Sequence, residues 1–236
     1  MILGSVFFNH IDSLDYGVHT TNAGVYDAPR RLYEQITVAG RNGALLQDRG
    51  LFENIKVKYP AFIYENFDLN LLTYRNILTS SIGYKRLEDT YHPEEYRLAV
   101  YDDSLTMKSI KSDSKGSFEL VFNCKPQRFM KFGEIPTEVS SGDVFHNPYG
   151  QVARPNIRVY GSGTMEFGDV YITVLSNSYQ YIDINSELGD AYNGTHNCNN
   201  LIVISSDDFP VLGEGDTQIE FDGFTKVEMT PNWWRL

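Results

Sequence analysis

The chain has 236 residues and a mass of 26.9 kDa, with 42% hydrophobic and 22% charged residues, enough to bury a core as one large β domain or two ordinary ones and too apolar for a disordered tract. No stretch approaches the ~18 consecutive apolar residues of a membrane span, and the 19 glycines follow no three-residue period, so integral-membrane and collagen-like classes fall away. The formal net charge of −11 argues against a nucleic-acid binder, which needs Lys and Arg to displace counterions from phosphates.

Short apolar runs broken by turn residues open the chain. Val6-Phe7-Phe8 before Asn9 and Ile36-Thr37-Val38 before Gly40 predict strands. Ile55, Val57 and Tyr59 alternate with Asn54, Lys56 and Lys58, the period of a strand with one buried face, and Pro60 is expected to limit that run or mark a sheet edge. Leu69, Leu72, Ile77 and Leu78 recur at roughly helical spacing, which predicts a helix over residues 69–80 with Asp68 as its cap and Gly83 at its end. Strands are expected at residues 96–101 and 118–123. Beyond them the chain reads as almost wholly β, with runs at 157–160, 170–175, 179–184, 201–205, 218–221 and 224–229 separated by Gly, Asn and Asp clusters. That spacing favours a sandwich over a βαβ sheet.

The charge is distributed unevenly. Residues 1–133 hold 16 Lys and Arg against 16 Asp and Glu, whereas residues 134–236 hold 4 against 15. This change coincides with the Gly-, Pro- and Ser-containing stretch from Gly133 to Gly142, which predicts two domains, 1–133 and 134–236. The N-terminal residues lack the basic segment and small-residue cleavage site of a secretory signal. Cys124 and Cys198 are expected as reduced thiols, having neither disulfide density nor metal-ligand spacing.

Candidate chemistry is sparse. His10, His19, His92, His146 and His196 share no zinc-binding spacing, and neither G-x-S-x-G nor G-x-x-x-x-G-K-[ST] occurs. Asp183-Ile184-Asn185-Ser186-Glu187 begins like an EF-hand loop, but its glycine comes late, at Gly189, and Gly194 stands where a bidentate Glu is required. Asn193-Gly194-Thr195 matches a glycosylation triplet and is read as a turn. Paired carboxylates for glycoside hydrolysis have no specific support among so many acids, Asp207 and Asp208 reading as a solvated loop. Sixteen Tyr, fourteen Phe and two Trp either fill two sandwich cores or form interface and sugar-stacking surfaces. No catalytic residue, metal site or cofactor is expected.

Specific strings carry more. Gly83-Tyr84-Lys85-Arg86-Leu87-Glu88-Asp89-Thr90-Tyr91-His92-Pro93, continuing into Tyr96-Arg97-Leu98-Ala99, resembles the signature of the distal tail protein family of long non-contractile-tailed bacteriophages, as does Phe122-Asn123-Cys124-Lys125-Pro126-Gln127-Arg128-Phe129. Gly40-Arg41-Asn42-Gly43 with Leu45-Leu46 is similar to that family's glycine-arginine turn, and Pro231-Asn232-Trp233-Trp234-Arg235-Leu236 to its usual ending. These stretches follow the family's order across nearly the whole chain, although Ile77-Leu78 stand where the family commonly has Trp.

The resemblance implies a mainly β protein of two β-sandwich domains. The N-terminal one, with a single α-helix, would form a homo-hexameric ring, and the C-terminal one would be galectin-like or carbohydrate-module-like. Such a ring is a structural virion component at the distal end of the tail, made in the host cytoplasm, without enzymatic activity. It would join the tail tube protein to the tail-associated hub or tip protein, carry receptor-binding or side-fibre proteins outside, and pass DNA only as cargo, with no membrane partner. The alternative is a carbohydrate-binding adhesion module at the tail tip, and a tail-tip hydrolase ranks last. A closing ring needs two different complementary surfaces per subunit. Arg41, Tyr84, Lys85, Arg86, Glu88 and Asp89 are the candidate subunit-contact region, with Lys85, Arg86, Glu88 and Asp89 expected in subunit contacts or in a hydrogen-bonded loop near them, a solvated charged turn being the alternative.

Overall fold

The computed structural model describes residues 3–26, 28–102, 107–109, 115–176 and 178–236. The chain divides between Arg128 and Phe129 into two units. The first contains strands β1 (Val6–Phe8), β2 (Ile11–Asp12), β3 (Val18–Thr20), β4 (Val25–Tyr26), β5 (Arg31–Thr37), β6 (Ala44–Phe52) and β7 (Ile55–Ile63), helix α1 (Phe67–Ser80), then β8 (Lys85–Asp89), β9 (Glu95–Val100), β10 (Met107–Ser109) and β11 (Gly116–Cys124). Its main sheet runs β2-β1-β8-β9-β11-β7-β3, with β10 beside β11 and β4 beside β7, while β5 and β6 form a separate two-stranded ribbon.

Alternation decides the centre of this sheet. Ile55, Val57, Tyr59, Ala61 and Ile63 of β7 and Phe118, Leu120, Phe122 and Cys124 of β11 are all buried in one core, as side chains on one face of a pleat must be. Pro60 neither ends the strand nor marks an edge. β3 pairs with β7 at Ala61–Ile63 and β4 pairs with it at Val57–Lys58. The Pro60 carbonyl accepts from the Thr21 amide at 3.1 Å, and N–H and C=O of one residue point to the same neighbour in an antiparallel ladder. The missing N–H therefore faces the break between two short partner strands, where a ladder donor is not required.

The helix starts two residues earlier than the spacing predicts. Asn66, with φ 51°, precedes it without a side-chain cap, and Asp68 lies in the first turn, where its charge suits the helix dipole. Ser81 ends the helix in extended conformation, and Gly83, with φ 75°, lies beyond its end. The buried stripe is Phe67, Leu71, Tyr74 and Leu78; Leu69 and Leu72, which suggested the helix, face solvent. Two aromatic side chains outweigh the leucines in choosing the buried face. Phe67 in turn depends on Gly116, where a Cβ would stand 2.3 Å from its ring.

The second unit follows β12 (Arg128–Met130), which straddles the division. It comprises β13 (Thr137–Val139), β14 (Asp143–Asn147), β15 (Asn156–Tyr160), β16 (Gly163–Phe167), β17 (Val170–Val174), β18 (Ile182–Asn185), β19 (Asp190–Asn193), β20 (His196–Asn197), β21 (Ile202–Ile204), β22 (Gly215–Asp222), β23 (Lys226–Thr230) and β24 (Trp234–Arg235). One sheet runs β13-β23-β15-β18-β19-β20 and the other β14-β22-β16-β17-β21. Inward side chains of both, including Ile157, Val159, Ile182 and Ile184 from one and Met165, Phe167, Ile172 and Ile219 from the other, share a single core. The mainly β, sandwich-class reading is thus met, with one α-helix among the described residues. Glu134, where the charge balance changes, lies in a 3-10 turn, Lys131–Glu134, inside the second unit. Gly133 of that turn packs so tightly that a Cβ would stand 2.7 Å from the Trp233 nitrogen.

Gly116→Ala should destabilise the protein by about 1–3 kcal/mol through overpacking against Phe67. Gly213→Ala, which meets nothing within 4 Å, should stay within about 0.5 kcal/mol of the parent. Urea unfolding of both variants checks the difference.

Candidate assembly surfaces

Tyr84, Lys85, Arg86, Glu88 and Asp89 come together on β8 or immediately before it, and Arg41 lies on a different element, the tip joining β5 to β6. Strand β8 is held between β1 and β9. Leu87 faces the core, so Arg86 and Glu88 share the opposite side. They pair with one another there, and the Arg86 guanidinium lies 3.7 Å from the centre of the Tyr96 ring. Tyr84, at the surface, accepts a 2.6 Å hydrogen bond from the Asn54 amide, with the Lys125 ammonium 5.2 Å from its ring centre.

Asp89 is the pivot of a hydrogen-bond cluster. Its Oδ2 accepts from the Tyr59 hydroxyl at 2.9 Å, and its Oδ1 accepts from the backbone amides of Tyr91 at 2.9 Å and His92 at 2.7 Å. Burial, followed by the Asp89 charge, pushes the Tyr59 phenol well above its ordinary pKa, so it remains a donor. Alternation on β9 runs against hydropathy: Glu95, Arg97 and Ala99 are buried, while Tyr96, Leu98 and Val100 are half-buried. Glu95 pairs with Arg128, and Arg97 reaches the Pro126 carbonyl at 3.5 Å. A void of about 20 Å³ remains among these groups, room for a single water. This is a cross-linking network and not a substrate pocket.

The ribbon of β5 and β6 is different. Gly40 and Gly43, with φ 77° and 80°, flank Arg41 at its tip. Ile36 faces Leu45 on one side and Gln35 faces Leu46 on the other. Tyr33, Ile36, Val38, Leu45, Leu46 and Leu51 are all exposed, Leu46 by 63%. Arg31 bonds Asp48, holding its carboxyl below the usual range, and Arg49 bonds Glu34 at 2.7 Å. A two-stranded ribbon is marginal by itself in water, and this one carries apolar side chains on both faces. Its sequence signal was the Gly40-Arg41-Asn42-Gly43 turn; the exposure of the arm behind that turn had no signal.

Elsewhere the candidate groups have structural work. Asp183 is buried and takes both ends of the Arg158 fork at 2.8 and 2.9 Å. Asn193 and Gly194 turn β19 into β20, and the Asn193 amide donates to the Tyr181 carbonyl at 2.9 Å. Burial pushes the Cys124 thiol up to about 12.

No family model and no curated protein matches the chain by sequence. Among solved structures it is similar to the Dit protein of phage SPP1, described as a paradigm of the hub adsorption apparatus in phages that infect Gram-positive bacteria, with a TM-score of 0.72 and 15% identity over 100% of both chains. It is also similar to a chain of the phage p2 baseplate in its activated, strontium-bound conformation, with a TM-score of 0.53 and 12% identity over 97% of each. At these identities the likeness is one of fold.

Asp89→Ala should cost about 3 kcal/mol, because the Tyr59 hydroxyl and two amides lose their acceptor. Tyr59→Phe should cost about 1 kcal/mol. The double variant should fall short of the sum in a denaturation-based mutant cycle; simple additivity would deny the coupling.

Proposed function

We propose that this protein is a structural component of the phage tail tip, a hub that assembles through its first unit into a closed, head-to-tail ring of six. The full-length fold likeness to the SPP1 hub adsorption protein supports this reading most strongly. The arm of β5 and β6 supplies what a ring requires. Its apolar side chains are exposed among the described residues, and a heterologous ring gives each arm a neighbouring subunit to cover it. In this reading Arg41 leads the arm onto the neighbour, and Tyr84 offers a contact at the start of β8 beside the half-buried Lys85, with Arg86, Glu88 and Asp89 holding that strand in place. The balanced charge of residues 1–133 leaves self-association without a large net repulsion. The tail tube protein above, the tail-associated tip protein below and receptor-binding or side-fibre proteins outside are the partners, DNA passes as cargo, and the role involves no catalysis.

Native mass spectrometry of the full chain should show six subunits. Leu45→Ser with Leu46→Glu should yield monomers whose melting temperature changes little, since both residues are solvent-facing in the single chain. A monomer at high concentration together with virions whose tail ends bind no antibody to this protein would refute the reading.

A further inference from the structure

The two sheets of the second unit differ in charge. Strands β14, β16, β17, β21 and β22 contain the carboxylates Asp143, Glu166, Asp216, Glu220 and Asp222 and no Lys or Arg. On the opposing sheet Arg158 pairs with Asp183, and Lys226 with Glu228 and Glu138. The acids of the first sheet have no such partners from its own strands.

Register fixes where they point. Glu220 stands directly opposite Glu166, Glu166 opposite Tyr171, and Asp222 opposite Thr164. Val144 faces Gln218, His146 faces Asp216, and Val203 faces Thr173. Residues opposed across a ladder share a face, and Met165, Phe167, Ile172, Val174 and Ile219 occupy the inner one. Asp143, opposite Ile219, is thereby set apart from the other acids, and the outer face mixes Glu166, Asp216, Glu220 and Asp222 with Val144, Tyr171 and Val203, which are 55%, 56% and 57% exposed.

Like charges directly opposite one another in a sheet are destabilising. Among the described residues, neutral or weakly basic groups meet these acids: the Gln218 amide donates to Glu220 at 2.8 Å, and His146 Nδ1 lies 2.6 Å from Asp216. Hydrogen bonding to Glu166, with the charges of Asp169 and Glu220 nearby, raises the Tyr171 phenol. Among the described residues no three His, Cys, Asp or Glu are placed to hold a metal ion. The acids are strung along the rows, a spacing that suits several separate cationic heads, and the apolar side chains between them suit the aliphatic stems of Lys and Arg.

We propose that the outer face of β14-β22-β16-β17-β21 is a docking surface for a protein segment in which Lys or Arg side chains alternate with aliphatic ones. The inference rests on the second unit alone and stands or falls apart from the ring reading.

The probe is a fluorescent peptide of alternating arginine and valine, titrated into the full-length chain at low and physiological salt, with an alternating glutamine and valine peptide as control. The arginine peptide should bind and the glutamine peptide should not. Glu166→Gln with Glu220→Gln should weaken binding roughly tenfold, about 1.4 kcal/mol. Glu138→Gln with Glu187→Gln, which removes the same charge elsewhere in the unit, should change it little. Equal weakening by both pairs would reduce the effect to bulk attraction and overturn the proposal. Equal binding of the glutamine peptide would overturn it in favour of backbone strand addition, as would cellohexaose binding that Tyr171→Ala abolishes in favour of a saccharide. Self-association lost in Glu166→Gln with Glu220→Gln would assign the face to a second copy instead.

Discussion

Nine consecutive residue pairs, from Gly116 with Ile63 to Cys124 with Ile55, join β11 to β7, and the first unit is organised around that ladder. Each buried large apolar side chain on it contributes about 1.5–3 kcal/mol, far more than any surface ion pair. On one flank β7 carries β3 and β4; on the other β11 carries β9 and β10. The helix lays Phe67 into the gap left by Gly116. The exposed ribbon ends at Phe52 and β7 starts at Ile55, so the arm springs directly from a strand of the central ladder. A projecting element rooted there is aimed by the core even though its own side chains contribute little to it.

Against this apolar frame the polar cluster of β8 and β9 has a different role. Burying Glu95 and Arg97 beside the half-buried Arg128 is not a route to large stability, since desolvation offsets most of the attraction between paired charges. What the cluster supplies is uniqueness of register. A slip of one residue between β8 and β9 would turn Leu87 outward and would separate Asp89 from the Tyr59 hydroxyl. The start of β8, at Tyr84 and Lys85, is thereby fixed relative to the core ladder.

The parts of the fold legible in the sequence were those in which one local pattern decides the outcome. Ile55, Val57 and Tyr59 announced a half-buried strand, and β11 was clear from Phe118, Leu120 and Phe122. The helix was legible in position but its buried face was not, because Leu69 and Leu72 carried the pattern while Phe67 and Tyr74 carried the packing. Pro60 misled because its effect depends on which strands flank it, a long-range fact. On β9 two of the three buried residues are charged, and no hydropathy pattern can reveal ions that meet partners from distant segments such as Arg128. Strands β14, β16 and β19 escaped notice because Asp, His, Gly and Asn dilute their apolar content. For the candidate surfaces, residue strings picked out β8 and the tip at Arg41. The free flanks of the arm follow from β5 and β6 pairing only with each other among the described residues, which no local residue string encodes.

The burial of both sulfur atoms has a practical consequence. Cys124 and Cys198 are free and enclosed, and the Cys124 thiol, pushed up to about 12, stays protonated in neutral buffer, the form that does not attack electrophiles. Spectroscopic reporters can therefore be attached to cysteines introduced at chosen outside positions, such as the arm tip, without first stripping the native ones from the interior.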